Sequence, residues 1–202
     1  MSAHAFSSKG NDMNLVLTIA VGSLFQEMAG ITHQSIQRYA DKVGADFKVI
    51  SEQTHSTPHW EKFQIYDLLA HYDRILYVDT DVLITSDCPN LFQLVPPHVL
   101  GLFNEGAYFD RKYEEYFNTG VMVIPRCCRD LFTKPEIEQG SIETFYEQNF
   151  LNDRIHGSGH QIRCLSHKFN KMDFIQAPGY IIHKAGNTNA LAELRELAGV
   201  LA

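Results

Sequence analysis

At 202 residues the chain is long enough for one well-buried core, and no shift in composition marks a linker between two. With 45% hydrophobic and 20% charged residues it is neither disordered nor fibrous. A formal net charge of -7 excludes sequence-independent binding to nucleic acid, which needs a surplus of Lys and Arg to displace counterions.

Residues 1–13, rich in Ser, Gly, Asn and Asp, read as a flexible leader to a single domain over residues 14–202. Residues 15–21 form an apolar run with β-branched members that Gly22 ends, which suits a buried strand. The run falls far short of the roughly 20 apolar residues needed to span a bilayer, and it follows no basic region or cleavage site. A cytoplasmic protein without a transmembrane segment is expected.

Between residues 28 and 43, Ile36, Tyr39, Ala40 and Val43 keep helical spacing, and Gly44 stops the helix. Residues 47–50 suit a second strand. After a polar loop holding Pro58, the spacing of Ile65, Leu68, Leu69 and Tyr72 predicts a helix over 60–72. Residues 75–78 suit a third strand, running straight into Asp79-Thr80-Asp81. Shorter strands are predicted at 99–103, 120–125 and 180–182, and helices at 142–152 and around Leu191, Leu194 and Leu201. Alternating strands and helices in the first half point to an α/β single domain with a mainly parallel central sheet and helices on both faces. Ligands bind such sheets beyond the carboxyl ends of their strands. The four cysteines, Cys88, Cys127, Cys128 and Cys164, include no CxxC pair, so reduced thiols are expected and neither a zinc cage nor a disulfide framework.

Asp79 and Asp81 are one residue apart, so a strand that continued through them would project both carboxylates to one side. Two hard oxygen ligands suit Mg²⁺ or Mn²⁺, whose shell phosphate oxygens and water complete. Aspartates are also ordinary turn residues after a strand. Against that, the apolar flanks at 75–78 and 82–84 would leave two charges beside buried positions without partners. Phosphatases of the haloacid dehalogenase type share an Asp-x-Asp after an apolar strand. Their motif lies near the start of a chain, continues with Thr or Val, and needs a later acidic pair; here Leu83 stands at that position and Glu114-Glu115 falls in a charged loop.

With residues 75–81, Phe117-Asn118-Thr119-Gly120-Val121, Glu147-Gln148-Asn149-Phe150-Leu151-Asn152 and His183 in this order, the chain resembles family 8 of the retaining glycosyltransferases, the group of glycogenin and bacterial lipooligosaccharide galactosyltransferases. The resemblance covers about residues 14 to 187. It implies a GT-A-type, Rossmann-like fold and transfer of a hexose from a UDP-sugar to a hydroxyl on a glycan, protein or small molecule. It further implies Mn²⁺ (or Mg²⁺) on Asp79, Asp81 and His183, with Asn118, Gln148 and Asn149 at the reaction centre. Thr18, Ala20, Lys62, Asp79, Thr80, Gly120, Lys184 and Gly186 would contact the donor.

The chain departs from the family pattern at three places. Thr188-Asn189-Ala190 replaces Lys-Pro-Trp, removing the usual diphosphate lysine, for which Lys184 is the candidate substitute. Glu147 and Asn149 replace the outer members of Asp-Gln-Asp, and Gly22-Ser23-Leu24-Phe25 replaces a base-binding segment with Asp and Tyr. A nucleotide-sugar binding protein with decayed chemistry is the non-enzymatic reading these departures favour. Each residue also has an ordinary reading: Lys62 as a solvated helix lysine, Trp60 as packing, Asn118 and Gly120 as turn formers, His183 as a hydrogen-bonded core histidine, Gln148 as a surface amide.

Overall fold

The computed structural model describes residues 12–55, 57–108, 114–134 and 146–201. Most of the leader, and residues 142–145 of the helix predicted over 142–152, lie outside them.

Strand β1 (Asn14–Ile19) is followed by helix α1 (Ser23–Val43), which begins five residues earlier than its periodicity predicts and ends at Gly44. Gly44 adopts φ 68°, and its N–H bonds the carbonyls of Ala40 and Asp41, a conformation that suits glycine. Strand β2 (Asp46–Ile50) comes next. The helix predicted over 60–72 is instead a 3-10 segment, Pro58–Gln64, that passes into one short turn, α2 (Ile65–Leu68). Strands β3 (Arg74–Val78) and β4 (Val82–Ile84) flank the aspartates, and α3 (Leu91–Leu94) follows. Strand β5 (Leu100–Asn104), the long β6 (Phe117–Pro125), α4 (Tyr146–Ser158), β7 (Ile162–Cys164), β8 (Ile181–His183) and α5 (Ala190–Leu201) complete the order. The short elements β4, α3 and β7 escape pattern reading because three or four residues carry too little periodicity to register.

The main sheet has the order β2-β1-β3-β6-β5-β7, with β6 antiparallel to both its neighbours and the other pairings parallel. The α/β single domain and mainly parallel sheet expected from the sequence are present. Strands β1 and β3 are buried on both faces, which is why they read as unbroken apolar runs. Leu15, Leu17, Ile75 and Tyr77 face a core shared with Trp60, Phe63, Leu131 and Leu151. Val16, Leu76 and Val78 face the other way, onto Ile36, Tyr39 and Leu91. Burying each such side chain contributes about 1.5–3 kcal/mol.

Two-stranded pairing of β4 with β8 forms the second sheet and sets Val82 opposite His183. Helix α5 lays Ala190 and Leu194 against Met28 of α1 and Leu83 of β4. No helix among the described residues is long and apolar enough to cross a membrane.

Glu61, wholly buried, ties the 3-10 segment to the loop before it. Its carboxylate accepts hydrogen bonds from the backbone N–H groups of Thr54 and His55 (both 2.6 Å), the Thr54 hydroxyl (2.7 Å) and Gln64 Nε2 (2.6 Å). Burial alone would raise this carboxyl; hydrogen bonds with the His55 ring, Thr54, the His55 N–H and Gln64 outweigh it and hold the group at about 2, below its ordinary 4.5. Because the folded value is depressed, the stability it contributes is full above 4.5 and lost as pH falls toward 2. Glu61→Gln should therefore lower stability by about 1–3 kcal/mol at neutral pH and flatten the acid limb below pH 4.5. Urea unfolding at pH 7 and pH 3 checks this, and parallel losses in wild type and variant would contradict it.

Candidate active site

Asp79 stands at the carboxyl end of β3, where its N–H donates to the Gly120 carbonyl at 2.8 Å. The strand does not continue through Asp81: Thr80 and Asp81 form a turn that leads into β4. Thr80 is buried, its hydroxyl bonding the Ile19 carbonyl and lying 3.2 Å from the Thr18 hydroxyl, while its own carbonyl accepts from Thr32 at 2.8 Å. These bonds anchor the turn between two carboxylates that converge on one point.

That point is closed by His183. The β4–β8 pairing delivers it, and the Lys184 N–H bonds the Asp81 carbonyl at 3.1 Å. His183 Nε2 lies 3.3 Å from Asp81 Oδ1 and 3.6 Å from Asp79 Oδ2. Ligand atoms of the three residues all fall within 4.8 Å of one another. Burial disfavours a charged imidazole, but the Asp81 and Asp79 carboxylates outweigh it and raise His183 above its ordinary value. Opposite them, Gly120 has no side chain for a steric reason: a Cβ there would overlap His183 Cε1 and lie 2.6 Å from Asp79 Oδ2.

Lys62 is buried, not solvated. Its ammonium sits 2.6 Å from Glu147 Oε1, 3.5 Å from Asp79 Oδ1 and 3.2 Å from the Thr119 hydroxyl, with the Tyr77 ring 5.2 Å from Nζ. Burial opposes the charge, but Asp79 and Glu147 outweigh it and raise the amine. Asp79 also accepts from the Tyr77 hydroxyl at 2.5 Å. Burial would raise its carboxyl, yet Lys62, His183 and Tyr77 hold it below the ordinary range.

Helix α4 brings Gln148 to the start of β6. Asn152, one turn on, fastens the two elements by accepting from the Phe117 N–H (2.7 Å) and donating to the Phe117 carbonyl (2.8 Å). Gln148 then accepts from the Thr119 N–H at 3.0 Å, and its amide donates to Glu105 at 3.0 Å. Asn118 donates to the second Glu105 oxygen at 3.0 Å and accepts from the Gly120 N–H at 2.9 Å. Both amides are buried, contrary to their ordinary readings as turn and surface groups.

A cleft of about 260 Å³ gathers Lys62, Asp79, Thr80, Asp81, Asn118, Gln148, His183, Lys184 and Gly186 along its wall. Four residues expected at the site, Thr18, Ala20, Asn149 and Gly120, do not line it. Thr18 and Ala20 are buried in the sheet, where Ala20 N–H bonds the Ile50 carbonyl, and Asn149 points outward, accepting from the Tyr116 hydroxyl at 2.5 Å. Gly120 backs the Asp79–His183 pair without lining the cleft. Lys184 lines it, but its ammonium is held 2.6 Å from Asp173 and 2.5 Å from Glu193, so its charge is already neutralised. Sequence reading passed over Glu105, Asn170 and His59, the last forming an edge-on aromatic contact in the cleft wall with Phe25 of the segment that replaces the base-binding residues. Glu105 carried a usable signal, an acid directly after an apolar strand. Asn170, in an irregular loop, carried none.

The sequence matches the model of glycosyl transferase family 8 over residues 23–145. Among curated proteins no sequence matches significantly. In fold the chain is similar to a glycosyltransferase involved in glycosylation of the major capsid of PBCV-1, at 14% identity and TM-score 0.67, covering 93% of this chain and 99% of that one. It is also similar to the glycosyltransferase GlyE of Streptococcus pneumoniae (18% identity, TM-score 0.63, 95% of this chain and 60% of that one). A Drosophila beta-1,4-galactosyltransferase 7 mutant, solved with manganese, UDP-Gal and xylobiose, matches at 13% identity and TM-score 0.50 over 86% of this chain and 71% of that one. The haloacid dehalogenase reading of the aspartates is set aside by the family match, which runs through both of them and across more than half of the sequence: the chain belongs to glycosyl transferase family 8.

Proposed function

We propose that the protein transfers a hexose from a UDP-sugar to a hydroxyl acceptor with retention at the anomeric carbon, using Mn²⁺ or Mg²⁺ held by Asp79, Asp81 and His183. The observation that carries this reading is the convergence of those three side chains, from two segments about a hundred residues apart, in the same cleft as Asn118 and Gln148. Two carboxylates and an imidazole are a fitting donor set for Mn²⁺, and the bare Cα of Gly120 leaves room behind them. Electrostatics supports the metal independently. Asp79, Asp81 and Glu147 outnumber Lys62 in the cleft, and Lys184 is neutralised, so a diphosphate would meet net negative charge without a divalent cation.

When bound, such a cation acts as a Lewis acid that stabilises charge developing on the departing diphosphate. The remaining work falls to the chain. Lys62 holds Asp79 charged and in place, and Asn118 and Gln148, rigidly bonded to Glu105 and to backbone N–H groups, orient the sugar. The anomeric carbon–oxygen bond breaks with its electron pair going to the diphosphate. The acceptor oxygen bonds that carbon, its proton leaves to the diphosphate or solvent, and the products are a glycoside and UDP. Gln148 is a neutral amide, a poor nucleophile, and serves to position.

A thermal-shift panel of nucleotides and nucleotide sugars, with Mn²⁺ or EDTA, joined to an assay of UDP release, tests the reading. UDP with Mn²⁺ at about a hundred times its dissociation constant should add roughly 2.7 kcal/mol, a shift of about 5–11 °C for a chain of this size. A melting temperature indifferent to every nucleotide and to Mn²⁺ would refute the donor and metal assignments. Stabilisation without turnover would point to a nucleotide-sugar binding protein whose chemistry has decayed.

A further inference from the structure

We infer that Asn170 is a positioning residue for the metal site: it closes a hydrogen-bonded chain, Glu105–Asn118–Asn170–His183, that holds the His183 imidazole with its proton on Nδ1 and the Nε2 lone pair toward Asp79 and Asp81. The inference rests on the metal reading above and names what orients its nitrogen ligand.

Every member of the chain is buried, with Asn170 at 0% and His183 at 2% exposure, so no member turns to bulk water for a partner. Direction along the chain is set at its fixed end. A carboxylate only accepts and a backbone N–H only donates. Asn118 lies between the two, with one amide atom 3.0 Å from Glu105 Oε2 and the other 2.9 Å from the Gly120 N–H. Its Nδ2 therefore faces Glu105 and its Oδ1 faces Gly120. Asn170 reaches that same Oδ1 at 2.8 Å, so it presents its own Nδ2 there. Its remaining atom, Oδ1, lies 2.7 Å from His183 Nδ1 and requires a proton on that nitrogen. Flipping Asn170 would set carbonyl against carbonyl at Asn118 and leave Nδ1 to accept, with the proton on Nε2 where the cation should bind. Buried polar contacts of that kind are costly.

Backbone pairing holds Asn170 where this happens. The next residue, Lys171, donates to the Ile181 carbonyl at 2.8 Å and accepts from the His183 N–H at 2.9 Å, so a single parallel bridge to Ile182 ties the loop to β8. Glu105 Oε1 accepts from Gln148, so one carboxylate sets the direction both of the His183 chain and of the amide proposed to orient the sugar.

The experiment measures Mn²⁺ affinity of the full chain by electron paramagnetic resonance, and the His183 tautomer by ¹⁵N NMR of the Mg²⁺ complex. Asn170→Ala should weaken Mn²⁺ about 10- to 100-fold, the range for a residue that orients a metal ligand. Asn170→Asp still accepts from Nδ1 but sets a second acceptor against Asn118 Oδ1, so it should recover part of that loss, whereas a role in loop packing alone would not separate the two variants. The wild-type spectrum, which depends on no variant folding, should show the proton on Nδ1. Wild-type Mn²⁺ affinity in Asn170→Ala would overturn the inference while leaving the metal site standing; a proton on Nε2 in the wild-type complex would overturn it and remove His183 from the ligands, leaving the aspartates. A wild type that binds neither cation would overturn both.

Discussion

Asp81→Asn is expected to lower metal-dependent sugar transfer by about 10³-fold, the loss of several kcal/mol of charge stabilisation at tenfold per 1.36 kcal/mol. The substitution is nearly isosteric and removes one negative charge from the three-residue cluster. Of the two aspartates, Asp81 is the cleaner test. Asp79 also pairs with Lys62 and accepts from Tyr77, so changing it disturbs a buried ionic group, whereas the contacts of Asp81 are His183 through the side chain and the Lys184 N–H through the backbone. The backbone bond survives the substitution, and the melting temperature should stay close to that of wild type. Rates of UDP release over a Mn²⁺ series check the expectation. Unchanged rates with unchanged Mn²⁺ dependence would remove Asp81 from the metal site.

Lys62→Met carries the largest expected effect on stability, a loss of about 3–5 kcal/mol, as when one partner of a buried ion pair is removed and the other charge stays uncompensated. The Lys62 side chain is 4% exposed, and its ammonium stands between Glu147, whose side chain is also 4% exposed, and Asp79. Methionine matches the length of the stem and supplies no charge. The shift in melting temperature should be roughly 6–20 °C. Two controls separate charge from packing. Pairing the change with Glu147→Leu should restore much of the stability, because an apolar pair of similar volume needs no solvation. Adding Mn²⁺ should recover part of the loss, since a cation bound by Asp79 replaces the missing positive charge beside it. A variant that melts within a degree or so of wild type would mean that Lys62 is held by packing alone.

Much of this protein was legible in its sequence because the signals were local. An apolar run such as residues 75–78 becomes a strand buried on both faces wherever it folds, and its carboxyl end is where a parallel sheet opens to ligands, so Asp79 and Asp81 announced themselves. Helix α1 was readable from its spacing and from Gly44, whose left-handed conformation follows from its lack of a side chain. Motif order was enough to suggest the family.

The geometry of the site was not local: motif order named Asp79, Asp81, His183, Asn118 and Gln148 by resemblance, but nothing in their spacing shows how they meet. That His183 meets the aspartates follows from β4 pairing antiparallel with β8, two three-residue strands separated by about a hundred residues, each too short to show a period. The missing lysine after Gly186 looked replaceable by Lys184, but folding sets Asp173 and Glu193 around that ammonium and spends its charge. Lys62 read equally as a donor contact and as a solvated lysine; the 3-10 segment turns it inward onto Asp79 and Glu147. Asn170 had no pattern at all. Side-chain type and spacing along the chain settle which residues are able to bind a cation or bury a face; which of them share a partner depends on pairings between distant segments, and these are set by the sum of the core rather than by any one stretch of it.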